Sequence, residues 1–263
     1  MRPRGGRRSC AAAEALSKPG TACFFADLFS GKGGVAKELR ALGFLAKEYE
    51  IVRGVDLLHK RTQLQLLADI RTGRVAGVML ATPCTTLSRA RRKRLRTVEL
   101  PWGVDDLNES ELKQLQQGNA CLRFTIRVIK LCLKKGVPCI LENPLTSMIW
   151  DFEDLKRFVV HPATEVRVAD FCQFGTCWKK PTRFLCGNFG SGDTLSLDLR
   201  CSGPRGFCSR TGARHFILEG PGPGGVPRTR TAQPYPPRLC KALAWPLSNP
   251  ARAVFPCPGR CQN

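Results

Sequence analysis

The Pro83–Cys84 pair in ATPCTTLSRARRKR places a thiol directly after the apolar run VAGVML. A thiolate can bond transiently to an electron-poor carbon, and a strand-end turn stiffened by proline is where such a nucleophile is held still. The arginines downstream would favour the charged sulfur. Most cysteines are simply buried packing residues, so Cys84 gains meaning only from what the fold sets beside it. Glu142–Asn143–Pro144 closes a second apolar run, VPCIL. A carboxyl group there can carry a proton to a base, or can merely cap the strand end.

A third cluster, DLFSGKGG, runs from Asp27 to Gly34 between an apolar segment and one of helical period. Glycines let a backbone approach a ligand closely, and a helix start offers unpaired N–H groups. The cluster has neither the GxGxxG spacing of a dinucleotide site nor the GK[ST] of a phosphate loop. Asp56, at the expected end of the next strand, would suit a ribose hydroxyl pair. Asp69, before the third strand, could accept from an adenine amino group. Each carboxylate alone reads as an ordinary surface or capping residue, but at this spacing they outline a nucleoside site.

These clusters need elements to position them. TACFFADLF reads as a strand and VAKELRALGF as a helix, with Val35, Leu39 and Leu42 at helical spacing. KEYEIVRGVD reads as a second strand ending at Asp56, and LLHKRTQLQLLADI as a helix and turn ending at Asp69–Ile70. VAGVMLATPC is a third strand, 109–134 holds a long amphipathic helix, and VPCILENP is a further strand. Strands alternating with helices predict an α/β fold, a mainly parallel Rossmann-like sheet covered on both faces. Ligand groups in such sheets collect at the carboxyl ends of the strands, where all four polar clusters are expected.

The 42 basic and 21 acidic residues give a formal net charge of +21. An excess of that size points to a polyanion, most often nucleic acid, since binding phosphates releases counterions. Arg89, Arg91, Arg92, Lys93, Arg94 and Arg96 form a dense run beside Cys84 that could clamp phosphates, although many such runs are only a solvated face or a localisation signal. No stretch approaches the roughly 18 apolar residues of a membrane helix, and no basic amphipathic helix suggests a lipid surface. The basic start MRPRGGRRSC reads as a tail, with residues 1–20 a disordered arm. Several of the 14 cysteines sit in apolar periodic segments, which suits reduced thiols in an intracellular compartment.

Taken in order, the motifs resemble the DNA cytosine-5 methyltransferases over residues 22–185. DLFSGKGG resembles that family's cofactor loop, Pro83–Cys84 its catalytic turn, and Glu142–Asn143 its base-handling pair. YPPRLCKALA is similar to its final helix, which returns to complete the cofactor pocket. The resemblance implies a class I methyltransferase that uses S-adenosylmethionine on DNA, with RNA the alternative substrate. It implies cofactor contacts at Asp27, Phe29, Gly31, Gly33, Gly34, Asp56, Asp69, Ile70 and Pro83, and catalytic roles for Cys84, Glu142, Asn143 and Arg183. A nuclear location would follow. The chain departs from the family in having Thr82–Pro83–Cys84–Thr85 for Pro-Pro-Cys-Gln and Glu-Asn-Pro for Glu-Asn-Val. Gln-x-Arg-x-Arg is echoed only by Gln173 and Arg183 in CQFGTCWKKPTRF. A degenerate fold that binds nucleic acid without turnover is the competing reading.

The expected layout is a catalytic domain over 21–185, a Cys/Gly/Pro-rich recognition insert over 186–232, the returning helix over 233–246 and a tail over 247–263. Within the insert, Cys201, Cys208 and His215 recur at even six-residue gaps. With Cys186 or another cysteine they could complete a zinc site, although the spacing matches no standard finger.

Overall fold

The computed structural model describes residues 23–91 and 93–254, so Arg92, the expected N-terminal arm and residues 255–263 lie outside it. In chain order the main elements are β1 (Phe24–Leu28), α1 (Gly34–Ala41), β2 (Ala46–Tyr49), α2 (Lys60–Arg71) and β3 (Val75–Leu80). There follow α3 (Glu109–Lys135), β4 (Cys139–Pro144), α4 (Glu153–Val159), β5 (Thr164–Asp170), β6 (Pro181–Gly187) and α5 (Pro237–Val254). The six strands form one sheet in the order β2-β1-β3-β4-β6-β5. Strands β1 to β4 run parallel, while β6 is antiparallel to both β4 and β5. This is a mixed α/β architecture with a mostly parallel sheet, compatible with a Rossmann-like fold.

Strand parity sorts the core into two faces. Phe24, Ala26 and Leu28 of β1, Val78 and Leu80 of β3, and Leu141 of β4 pack with Leu66, Ile70, Leu122, Ile129 and Leu155 from α2, α3 and α4. Phe25, Met79 and Ile140 point the other way, onto Val35 and Leu39 of α1 and Leu239, Leu243 and Leu247 of α5. Asp27 and Glu142 share the parity of Phe25 and Ile140, which sends both carboxyl groups to the α1/α5 face. A capping box starts α3: Glu111 N donates to Asn108 Oδ1 at 2.9 Å and Asn108 N donates to Glu111 Oε2 at 3.0 Å. Gly136, at φ 68°, ends that helix.

Three expected boundaries are corrected. Strand β2 stops at Tyr49, and Ile51–Arg53 forms a 3-10 turn, so Asp56 is not a strand-end residue. Helix α2 continues through Asp69 and Ile70 to Arg71, because Ile70 is a core residue at the helical period of Leu66 and Leu67. The terminal helix runs on to Val254 rather than ending at 246. Pro246 removes one helical N–H, yet Leu247 still buries its side chain four residues beyond Leu243. Among the described residues no helix is long and apolar enough to cross a membrane.

Candidate active site

The strand order reverses between β1 and β3, and a crevice at such a point is where open α/β sheets bind ligands. The turn after β1 is built for close approach. Phe29 adopts φ 57°, a strained value for a residue with a side chain, and Gly31 and Gly33 lie at φ 54° and 66°. A Cβ on Gly33 would fall 2.0 Å from Glu48 Oε2, and one on Gly34 would fall 2.5 Å from Cys240 Sγ of α5. Gly34 therefore lets the terminal helix close against α1.

Asp27 is buried at the end of β1, and its Oδ2 accepts from the amide of Ala36 in the first turn of α1 at 3.1 Å. Burial pushes its carboxyl group up to about 7; the Ala36 amide opposes that push and Glu48 adds to it. The acidic residue that follows β2 directly is Glu50, whose Oε2 accepts from the Gly31 amide at 2.8 Å. The sequence reading missed Glu50 by carrying the strand to Asp56; its signal was an acidic side chain directly after the alternating AKEY. Ser30 Oγ is buried here without a hydrogen bond.

The second half of the site forms where β3 and β4 end. Cys84 is half-buried, and Glu142 is buried with its Oε2 accepting from the Tyr235 hydroxyl at 2.8 Å. Glu142 Oε1 has no hydrogen bond; Lys180 Nζ stands 3.7 Å from it. Burial pushes the Cys84 thiol up, Lys180 pulls it down, and Glu142 pushes it up again, so all three charges act at one place. Burial, and then the Glu142 charge, hold the Tyr235 phenol well above its ordinary range. Lys180 lies in CQFGTCWKKPTRF and Tyr235 opens YPPRLCKALA, but nothing in either segment marks these two side chains as partners of Glu142.

Asn143 has the opposite parity to Glu142. Its Nδ2 donates to the Thr82 carbonyl at 2.8 Å, tying the end of β4 to the Pro83–Cys84 turn, while its Oδ1 is buried without a partner. Thr82 and Thr125 hydroxyls hydrogen-bond at 2.7 Å beneath that turn. Arg183 sits opposite Asn143 in the β4/β6 register, its guanidinium 5.1 Å from the Trp150 ring and its Nε without a hydrogen bond. Pro83 is exposed. Buried polar atoms left unpaired are rare in native proteins, and Glu142, Asn143 and Arg183 each contribute one here.

Other expected site residues have local partners of their own. Asp56 caps its own turn, accepting from the Leu58 amide at 2.7 Å. Asp69 pairs with Arg74 and accepts from Gln65 Nε2 at 2.9 Å. The Asp69 carbonyl accepts from Arg74 N, and the Arg74 carbonyl accepts from Phe24 N at the start of β1. Asp69 is therefore held at the amino ends of the strands, and Ile70 is core, so neither joins the Gly-rich turn. The basic run also divides. Arg96 is fully buried and donates to Thr86 O at 3.0 Å, Pro101 O at 2.9 Å and Asn119 Oδ1 at 2.6 Å. Burial lowers its guanidinium to about 10, and its work is to pin the loop that carries Cys84 rather than to meet phosphates. Arg89 pairs with Asp151, Arg91 donates to the Lys93 carbonyl at 2.8 Å, and Lys93 pairs with Glu111 at 2.7 Å. Arg94 is exposed.

The ligating atoms of Cys172, Cys201, Cys208 and His215 lie within 4.8 Å of one another. Cys172, in the 3-10 turn after β5, takes the place expected for Cys186, which faces the core from β6. Burial works to raise the Cys201 thiol, but the Ser209 amide and hydroxyl and the Gly203 amide bring it down to about 6. No protein-family model and no curated protein matches this chain.

Proposed function

We propose that this chain is an S-adenosylmethionine-dependent methyltransferase of the class I type, transferring a methyl group to C5 of cytosine in DNA through a covalent bond to Cys84. The observation that carries the reading is that Cys84 and Glu142, whose Oε1 accepts no hydrogen bond, follow adjacent parallel strands closely enough to share the charge of Lys180. The Gly-rich turn across the topological switch point supports it.

The donor set suits the cofactor. A ribose diol needs an acceptor, and Glu50 stands at the end of β2 with one carboxylate oxygen on Gly31. Ser30 Oγ is a buried hydroxyl with hydrogen-bonding capacity to spare. The buried Asp27 carboxyl group suits a cationic ligand, whose charge would stabilise its ionised form. Asp27, Phe29, Ser30, Gly31, Gly33, Gly34 and Glu50 would hold the cofactor, which supplies an electrophilic methyl group.

The target base must leave its stack, because C5 and C6 are covered in a duplex. Cys84 gives its proton to water as its sulfur bonds to C6. Glu142 takes a proton from water as the base enters and shares it with N3, so the ring electrons displaced by the sulfur bond collect at C5 rather than on the ring nitrogen. Once C5 carries the methyl group, water takes the C5 proton, the freed C5–H pair re-forms the ring double bond, and Cys84 leaves with the C6–S pair as thiolate. Lys180 holds positive charge beside both groups, and Asn143 fixes the Cys84 turn to β4. Arg94 offers an exposed cation for phosphate on the chain segment that follows Cys84.

A nucleic-acid-binding fold without turnover is favoured by one observation: burial pushes the Cys84 thiol away from the thiolate. Transfer of a labelled methyl group from S-adenosylmethionine to DNA or RNA separates these readings. Label on cytosine C5 of DNA, lost in Cys84→Ser, supports the proposal. Binding of both cofactor and DNA with no label transferred to either nucleic acid would replace it with the binding module.

A further inference from the structure

Between β6 and α5 lie about fifty residues with no long helix or strand among them. The large apolar side chains of this segment are mostly exposed: Leu195, Leu199, Phe207, Phe216, Ile217 and Val226. Leu197 and Ala232 anchor its two ends in the core, but the stretch between them buries little apolar surface, and small folds in that position use a crosslink or a metal. The buried residues that do cluster here are three cysteines, Cys172, Cys201 and Cys208.

We infer that Cys172, Cys201, Cys208 and His215 form a closed structural zinc site that clamps the segment before α5 to the end of β5. In a tetrahedral site with Zn–S near 2.3 Å, neighbouring sulfurs stand about 3.8 Å apart and sulfur and nitrogen slightly less. All four ligating atoms already lie within 4.8 Å of one another, and Cys201 Sγ is 3.7 Å from His215 Nε2. Three thiolates and an imidazole fill four positions and leave none for water, so the site is structural and not catalytic.

The surroundings are those of metal-bound sulfur. The Ser209 amide donates to Cys201 Sγ at 3.3 Å, and Gln173 Nε2 donates to Cys172 Sγ at 3.4 Å. Gln173 Nε2 also reaches Cys208 Sγ, at 4.0 Å. Donors aimed at sulfur stabilise thiolates and orient them, as the outer partners of metal ligands do. A bridge between Phe207 and Arg214 folds the 207–214 loop back on itself, which brings Cys208 and His215 to one side. The Cys201 amide donates to the buried Asp170 carboxylate at 2.7 Å, and Arg210 Nε donates to the Cys172 carbonyl at 2.7 Å. These bonds set the two halves of the site in register. Zinc entry displaces the thiol protons and leaves a site of net charge −1. Cys172 lies far from the other three in sequence, so no short finger pattern announces it.

The inference stands apart from the methyl-transfer reading, and its test reads metal, not activity. Full-length protein purified under reducing conditions from zinc-supplemented cells is expected to hold one zinc per chain by elemental analysis. Cobalt should give tetrahedral ligand-field bands and thiolate charge transfer, and the latter should fall by about a third in Cys172→Ser. Cys177→Ser, an exposed cysteine outside the cluster, should leave both unchanged. If Cys172→Ser does not fold, the wild-type cobalt spectrum and protection of three cysteines and one histidine from modification decide the matter. Zinc-free folded protein, a disulfide within the cluster, or an unaltered cobalt spectrum in Cys172→Ser would each overturn the assignment.

Discussion

Replacing Asp27 with asparagine keeps the shape and the acceptor for Ala36 N but removes a charge that burial opposes. In the folded chain this carboxyl group titrates at about 7, against 3.8 for an ordinary aspartate. Below both values it is protonated folded or unfolded, and proton linkage contributes nothing to any difference. As pH rises from about 4 to 7 the unfolded chain releases the proton while the folded chain keeps it, so stability falls. Above 7 both forms are ionised and the loss is complete. Integrating between the two values gives about 4 kcal/mol. Relaxation and water entry soften the burial of a carboxyl group, so the expected loss is about 2–4 kcal/mol. Urea unfolding at pH 4.5 and pH 8 measures it, with Asp27→Asn as the reference that lacks this one titration. The variant should gain stability over wild type by that amount between the two pH values. Parallel profiles would show that Asp27 ionises as an ordinary carboxylate, and the reading of a buried acid awaiting a cationic ligand would fail.

Alkylation of Cys84 by iodoacetamide should lie at higher pH than that of a free cysteine, because burial and Glu142 outweigh Lys180. Lys180→Met should move the profile higher still, and a profile at or below that of free thiol refutes the electrostatic reading. Arg96→Met should destabilise the fold by about 3–5 kcal/mol in urea, since it strands buried acceptors at Thr86, Pro101 and Asn119. Arg94→Ala should stay within about 0.5 kcal/mol while weakening nucleic-acid binding at low salt. Gly34→Ala should cost about 1–3 kcal/mol through its clash with Cys240 Sγ, and Cys240→Ala in the same chain should restore most of it. Independent, additive effects of those two substitutions would mean that α5 does not close on α1 as described.

The parallel core of the sheet was legible because apolar runs such as FFADL and VAGVML are bounded by polar turns, and burial on both faces demands that pattern. The antiparallel β6, slotted between β4 and β5, was not, because nothing in PTRFLCG encodes strand order. The polar turns at Asp27, Cys84 and Glu142 were readable for the same reason as the strands that end in them. Asp69 was misplaced because a carboxylate near a strand is recognised by sequence distance, whereas helix α2 runs on through Asp69 and turns it to the amino ends of the strands. Lys180, Tyr235 and Cys172 reach their partners only through long-range packing. Arg96 looked like its exposed neighbours because charge does not reveal burial.

The most direct test of the central claim is trapping on an oligonucleotide containing 5-fluorocytosine, whose C5 carries fluorine where the departing proton should be. With S-adenosylmethionine present, methylation at C5 leaves no proton to lose, so Cys84 should remain bonded to C6. The account expects a cofactor-dependent complex that survives denaturation and is absent from Cys84→Ser. Demonstrated binding of cofactor and DNA with no such complex would contradict it.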